Sequence, residues 1–210
     1  MISKNIFVPF FIVIPLLILT PVNAYSQNDY KKLEDVKGLA VGQKIPTIEA
    51  LNQFNQVVRL NDLLSEGPLV IVFYRGFWCP LCNKHLSDLQ QSLEELKTKG
   101  VNIVAVSPER PEYLIQTLEN TGAQFTLLYD EDYEISNAFN LSFQPDQATI
   151  DMLGEMLSVD LTKYHSDESQ RLPVPATYII NSDGMVVWRQ FDPDYRKRSE
   201  ISEIIKNIPQ

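Results

Sequence analysis

Residues 69–96 constrain the fold of this chain more than any other stretch. Leu69-Val70-Ile71-Val72-Phe73-Tyr74 is a continuous run of apolar β-branched and aromatic residues. It is short and bounded by Gly67-Pro68 and Gly76, as a strand covered on both faces must be. Beyond it, Leu86, Leu89, Leu93 and Leu96 recur at spacings of three and four, one apolar stripe along a helix from about Pro80 to Lys99. The only two cysteines, Cys79 and Cys82, stand at the joint between strand and helix. Three residues apart in a first helical turn, their Cα atoms lie roughly 5 Å apart, inside the ~4.4–6.8 Å window that a disulfide accepts. The pair can open and close with little backbone movement, which makes the joint a redox device.

Helical rotation of about 100° per residue orients the two sulfurs. With Cys82 at zero, the four leucines fall within roughly 40° of it, so Cys82 points along the buried stripe. Cys79 is displaced by about 60° at the tip of the helix and is expected to be the more exposed thiol. Pro80 suits the first helical position, where its missing amide hydrogen leaves nothing unpaired. Amides at a helix start favour negative charge, so a thiol there ionises below its ordinary value of about 8.5, and the thiolate is the attacking form. Arg75 is the nearest positive charge in sequence; it can stabilise a thiolate or polarise a peroxide oxygen, or point outward into water. Trp78 is expected to flank the site, although plain packing accounts for it equally. His85, near −60°, can tune Cys82; His165, in a polar stretch, is read as incidental.

Haem attachment needs a histidine directly after the second cysteine, where Asn83 stands. A zinc site is conceivable from Cys79, Cys82, His85 and His165. Cysteines opening a long amphipathic helix after a buried strand are the redox context instead, so no metal and no cofactor are expected.

Before the joint, Thr47–Leu51 and Val57–Leu60 read as a hairpin, and Asn61 is placed to cap a short helix over Asp62–Ser65. After it come a strand at Val101–Val106, a helix at Pro111–Asn120, a strand at Phe125–Tyr129 and a short helix at Glu131–Asn140. Asp130, Glu131 and Asp132 are favourable charges at that helix start. Residues 141–173 read as a helical insertion, with Ile150, Leu153, Met156, Leu157 and Leu161 at helical spacing and a polar loop at Tyr164–Arg171. A hairpin of Ala176–Asn181 and Met185–Gln190 around Ser182-Asp183-Gly184 and a helix at Arg198–Asn207 close the chain. The expected fold is α/β, thioredoxin-like: a mixed central sheet flanked by helices, with an N-terminal hairpin extension and the insertion at about 141–173.

Residues 1–24 read as a secretory signal peptide: Lys4, the apolar run Ile6–Leu19, and small residues before a cut after Ala24. The run is short for a membrane span of ~20 residues; left uncleaved it would anchor the chain. Residues 25–40 form a lead-in, and 41–210 the folded domain. Export, into a bacterial periplasm, is therefore expected, with no stable membrane association after cleavage. The net charge of −9 argues against nucleic acid and anionic membranes as partners. A CxxC pair in an oxidising compartment closes by default, so its cycling needs an electron donor, thioredoxin-like or membrane-linked.

Given Gly42-x-x-x-Pro46, the stretch Phe73–Cys82, Pro173-Val174-Pro175-Ala176-Thr177-Tyr178, Asp183-Gly184 and Asp192-Pro193-Asp194-Tyr195-Arg196, the chain resembles peroxiredoxin-like proteins of the alkyl hydroperoxide reductase / thiol-specific antioxidant group. The resemblance runs from about Val41 to Ile205 and places the peroxidatic cysteine at Cys82. It also marks two departures. Cys79 stands where a threonine is expected, and Pro175 where a thiolate-stabilising arginine is expected. Pro175 resembles instead the cis-proline beside the CxxC of thioredoxins. The resemblance thus implies either a peroxidase, in which Cys82 attacks a peroxide and Cys79 resolves, or a dithiol enzyme, in which Cys79 attacks protein disulfides and Cys82 resolves. A binding module with an inert disulfide is the third reading.

Overall fold

The computed structural model of the chain describes residues 30–209. The signal peptide expected over residues 1–24 and the first part of the lead-in lie outside the described residues. The rest of the lead-in holds one 3-10 turn, Leu33–Asp35.

A hairpin of β1 (Glu49–Leu51) and β2 (Val57–Arg59) runs into α1 (Leu60–Glu66). That helix starts ahead of Asn61: Arg59 takes the cap position without a side-chain bond. Then follow β3 (Leu69–Phe73), α2 (Pro80–Gln91), α3 (Leu93–Thr98), β4 (Asn102–Ser107), α4 (Pro111–Thr121), β5 (Thr126–Tyr129) and α5 (Glu134–Ala138). The insertion comprises β6 (Ser142–Phe143), α6 (Gln147–Leu157), α7 (Leu161–Tyr164) and β7 (Leu172–Pro173). The chain closes with β8 (Ala176–Ile180), β9 (Val186–Phe191) and α8 (Ile201–Asn207).

The main sheet has the order β5-β4-β3-β8-β9. The crossover through α2 and α3 makes β3 and β4 parallel, and α4 does the same for β4 and β5. β8 lies antiparallel on the other side of β3, and β9 pairs with β8 as a hairpin. The central position of β3 explains its unbroken apolar run. Val70 and Val72 pack with Leu86 and Leu89 of α2, Leu114 of α4 and Ile204 of α8. Leu69, Ile71 and Phe73 pack on the opposite face with Leu60 and Leu64 of α1, Phe139 and Tyr178. A strand loaded on both faces admits no polar alternation.

The helix expected over Pro80–Lys99 is two helices that meet at Ser92. The amide of Ser92 is shared between the carbonyls of Asp88, at 3.3 Å, and Leu89, at 3.2 Å. That sharing tightens the turn and divides the helix without moving its apolar stripe, since Leu93 and Leu96 stay buried with Leu86 and Leu89. The last helix begins at Ile201 and not at Arg198, so residues 192–200 form a separate strap between β9 and α8. Asp130 caps the start of α5 from a buried position, accepting from the amides of Ile135 at 2.7 Å and Ser136 at 3.1 Å.

The pairing of β6 with β7 closes the neck of the insertion, and neither strand is long enough to have left a period in the sequence. Tyr164–Arg171 is not a solvated loop. His165 and Arg171 are buried, Ser166 N donates to the Pro108 carbonyl at 3.0 Å, and Arg110 Nη1 reaches the Lys163 carbonyl at 2.7 Å. Among the described residues no helix is long and apolar enough to cross a membrane.

Candidate active site

β3 delivers the chain to the carboxyl edge of the sheet, where its pairing ends with Tyr74 N on the Val106 carbonyl at 3.0 Å. Gly76, at φ +152°, turns it toward the helix. A β-carbon at Gly76 would run into the Glu109 carboxylate and the Trp78 indole nitrogen. Gly76→Ala is therefore expected to destabilise the fold by ~2–4 kcal/mol, overpacking added to backbone strain, as urea unfolding would record.

α2 begins at Pro80 with Cys79 as its N-cap. Cys79 and Cys82 are joined by a disulfide, with Cα atoms 5.2 Å apart. The Cys79 sulfur also accepts from the amide of Cys82 at 3.3 Å, the arrangement that favours an anion at this atom once the bond is open. The expected difference in exposure is absent: Cys79 is 0% and Cys82 1% exposed. The helix geometry placed Cys79 at the tip, but Arg75 lies on its sulfur, held between the Trp78 and Tyr195 rings.

The strap shapes the site. It is tied to itself by Lys197 on Asp192 and by Arg196 on Asp194. Its Tyr195 ring lies 4.1 Å from the guanidinium carbon of Arg75. Arg75 is buried and points inward, not into water, with Nη2 3.3 Å from the Cys79 sulfur and its guanidinium 5.3 Å from the Trp78 ring. Arg198, also from the strap, sets Nη2 3.7 Å from the Cys82 sulfur. Burial pushes both guanidinium groups down to about 10, and Arg75 pushes Arg198 the same way; both stay cationic at neutral pH. Each sulfur thus has its own guanidinium, one from each side of the sequence.

His85 does not contact either sulfur through a hydrogen bond. Its Nε2 meets the Ser199 hydroxyl at 3.1 Å, and that hydroxyl meets Thr177 at 2.8 Å, so His85 anchors the strap to β8. Burial, with Arg198 next in effect, holds the ring neutral and its pKa down at about 4. His165 is not incidental to the fold: it is buried, bonded to the Tyr133 hydroxyl at 2.8 Å, and likewise pushed down to about 4 by burial. Among the described residues, no three side chains of Cys, His, Asp or Glu converge as a metal site. Pro175 is buried beside Ala176, the residue that pairs with Phe73, so it does lie at the sheet edge that carries the cysteines. The thioredoxin-type cis geometry is not found: every peptide bond among the described residues is trans.

Glu109 is the site residue that the sequence reading passed over. It lies in the turn after β4, fully buried, and its carboxylate accepts the Phe77 amide at 2.9 and 3.0 Å. A polar residue at the carboxyl end of a parallel strand was a legible signal, because binding and reactive groups gather at that edge. Burial pushes this carboxyl well above the ordinary carboxylate range, against the bonds from Phe77, Thr117 and Ser107. A folded-state value raised above the unfolded one means the native state holds the proton longer, so stability falls as pH rises above about 4.5. Glu109→Gln keeps an acceptor for Phe77 and removes that loss. Its stability relative to the natural chain is expected to improve steadily from pH 4.5 to 8 in urea unfolding.

A CxxC disulfide capping the first helix after the central strand, in a sheet of this order, defines a thioredoxin-like dithiol–disulfide protein. Residues 41–189 match the AhpC/TSA family, and the chain belongs to it. It is 31% identical over 103 residues to peroxiredoxin Bcp of Escherichia coli K12, an overlap of 49% of this chain and 65% of Bcp. It therefore spans just under two thirds of the length of the Bcp relatives that it matches. It is also 27% identical over 103 residues to the thiol-disulfide oxidoreductase ResA of Halalkalibacterium halodurans, covering 49% of this chain and 57% of ResA. The fold resembles that of peroxidoxin BcpB from Mycobacterium tuberculosis, with a TM-score of 0.62 at 18% identity over 80% of this chain and 96% of that one.

Proposed function

We infer that the chain is a thiol-based antioxidant oxidoreductase that reduces hydroperoxides through a Cys79/Cys82 dithiol–disulfide cycle. The observation that carries this reading is a closed disulfide across one helical turn with a guanidinium at each sulfur, in a chain of the AhpC/TSA family. In the cycle the Cys82 thiolate attacks the terminal peroxide oxygen. The O–O bond breaks, the alcohol or water leaves with a proton, and Cys82 becomes a sulfenic acid. The Cys79 thiol then displaces that hydroxyl as water and closes the disulfide. A dithiol donor supplies the two electrons that reopen it. A cavity of about 240 Å³ lined by Leu81, Lys84, His85, Arg198 and Ser199 lies next to the site, and Arg198, which also faces the buried Cys82 sulfur, stands between the two. With the export signal expected over residues 1–24, the place of action is a bacterial periplasm and the donor a thioredoxin-like or membrane-linked dithiol.

One observation favours a second reading. The Cys79 sulfur takes both the Cys82 amide and Arg75, the better-stabilised anion of the two, as suits a Cys79 nucleophile acting on protein disulfides. Mixing the reduced protein with hydrogen peroxide, and separately with a disulfide-bonded polypeptide, separates the readings. Peroxide is expected to close the Cys79–Cys82 bond far faster than it oxidises free cysteine. A rate no faster than free cysteine, with rapid closure by the polypeptide, replaces the first reading with the second.

A further inference from the structure

The distribution of counter-ions around the site is inverted. Exposed Lys84, Arg196 and Lys197 each pair with a carboxylate: Asp88, Asp194 and Asp192. Arg75 is buried and Arg198 half-buried at the site, and among the described residues neither makes an ion pair with a carboxylate. A buried cation without a partner is costly, and ordinarily a carboxylate offsets it. Here the guanidinium groups reach the two sulfurs, Cys79 at 3.3 Å from Arg75 and Cys82 at 3.7 Å from Arg198, besides the Trp78 and Tyr195 rings on Arg75 and the Lys197 carbonyl 3.5 Å from Arg198. In the disulfide those sulfurs carry no charge, so the repulsion between the two guanidinium groups is eased by the Tyr195 ring and the Asp194 charge and not by the sulfurs. Opening the bond creates the missing anions.

We propose that Arg75 and Arg198 are a matched pair of cations, one per sulfur, that stabilise thiolate at Cys79 and Cys82 and so make the disulfide a strong oxidant that is easily reduced. Arg198 is a catalytic residue on this assignment, since it touches the reacting sulfur of Cys82, and it arrives from the strap and not from the sheet. The step balances as ordinary dithiol exchange. A donor thiolate attacks one sulfur, the S–S bond breaks, and the released cysteine leaves as a thiolate beside its arginine. The donor's second thiolate displaces the other cysteine, and the donor keeps the disulfide while two electrons pass to the protein. Thiolates that remain ionised take up no proton. The other charged or titratable groups facing the pair are Tyr195 and Asp194 of the strap and, around the cavity, neutral His85, the Lys84–Asp88 pair, Arg196 and Glu200.

The proposal rests on Cys79 and Cys82 being a cycling pair, and its test reads their equilibrium and not turnover. The protein, Arg198→Met, Arg75→Met and Arg198→Lys are equilibrated with mixtures of reduced and oxidised dithiothreitol at pH 7, and thiolate absorbance is followed against pH. Arg198→Met is expected to lower the equilibrium constant for reduction at least tenfold, which is ~30 mV for a two-electron couple, and to raise the thiol titration. Arg75→Met is expected to act in the same direction, and Arg198→Lys, which keeps the charge, to recover most of the loss. Equilibrium constants and thiolate titrations unmoved by either methionine variant overturn the proposal. So does Arg198→Lys behaving like Arg198→Met, because packing alone then accounts for the arginine. A disulfide that dithiothreitol cannot open in the unaltered protein sinks the cycling reading itself, a separate outcome.

Discussion

Cys82→Ser is expected to lower hydroperoxide turnover by at least ~10³-fold, while Cys79→Ser keeps the first oxidation and loses the cycle. A serine hydroxyl is not ionised at neutral pH, and no helix start or single arginine shifts it far enough to attack a peroxide. A cysteine thiol starts near 8.5 and needs little shift to be a thiolate. In Cys79→Ser the Cys82 sulfenic acid forms with no thiol to condense with, so it accumulates and is captured by a dimedone-type trap. Mass spectrometry after a single addition of hydrogen peroxide reads both variants. Trapped sulfenic acid at Cys82, with no oxidation product in Cys82→Ser beyond that of free cysteine, is the expected pair of results. The opposite pair, an inert Cys79→Ser and a peroxide-reactive Cys82→Ser, would move the nucleophile to Cys79. The amide and Arg75 bonds to the Cys79 sulfur make that a real alternative.

What the chain discloses before folding depends on how local the cause is. The two-faced run of β3, the leucine stripe behind it and the cysteine spacing are properties of neighbouring residues, so strand, helix and disulfide reach were legible together. Exposure was not. The rotation of Cys79 on α2 is local, but the Tyr195 ring on Arg75 and the Arg198 guanidinium on the Cys82 sulfur come from more than a hundred positions later, and nothing in Asp192–Glu200 shows that it folds back over the joint. The same holds for Arg75, whose guanidinium lies 4.1 Å from the Tyr195 ring. His165 looked polar by its neighbours, yet the bridge between Glu109 and His165 carries it into the interior. Local chemistry thus predicted which sulfurs lie within bonding reach, and long-range packing decided which charges stand beside them.

That packing can be tested at its centre. Tyr133 is fully buried at φ +60°, and its hydroxyl donates to the Arg171 carbonyl at 2.7 Å. Having spent its proton there, it accepts from Nδ1 of His165, which fixes that ring's tautomer. The Arg171 guanidinium lies 4.1 Å from the Tyr133 ring and 4.4 Å from the Tyr30 ring, and pairs with Asp167 at 2.7 Å. One side chain therefore holds both ends of the segment from His165 to Arg171 against the core. Tyr133→Ala removes a buried ring, worth ~3–5 kcal/mol, and leaves the His165 nitrogen and the Arg171 carbonyl without partners. The expected loss, ~4–6 kcal/mol, is a large share of the ~5–15 kcal/mol that holds a domain together. Tyr133→Phe keeps the ring and orphans the same two groups, so it is expected to cost only ~1–3 kcal/mol. Urea unfolding gives both magnitudes, and hydrogen exchange over residues 161–171 shows whether protection is lost there first. Equal, small losses from the two variants would mean that the insertion is held at its β6–β7 neck and not through Tyr133.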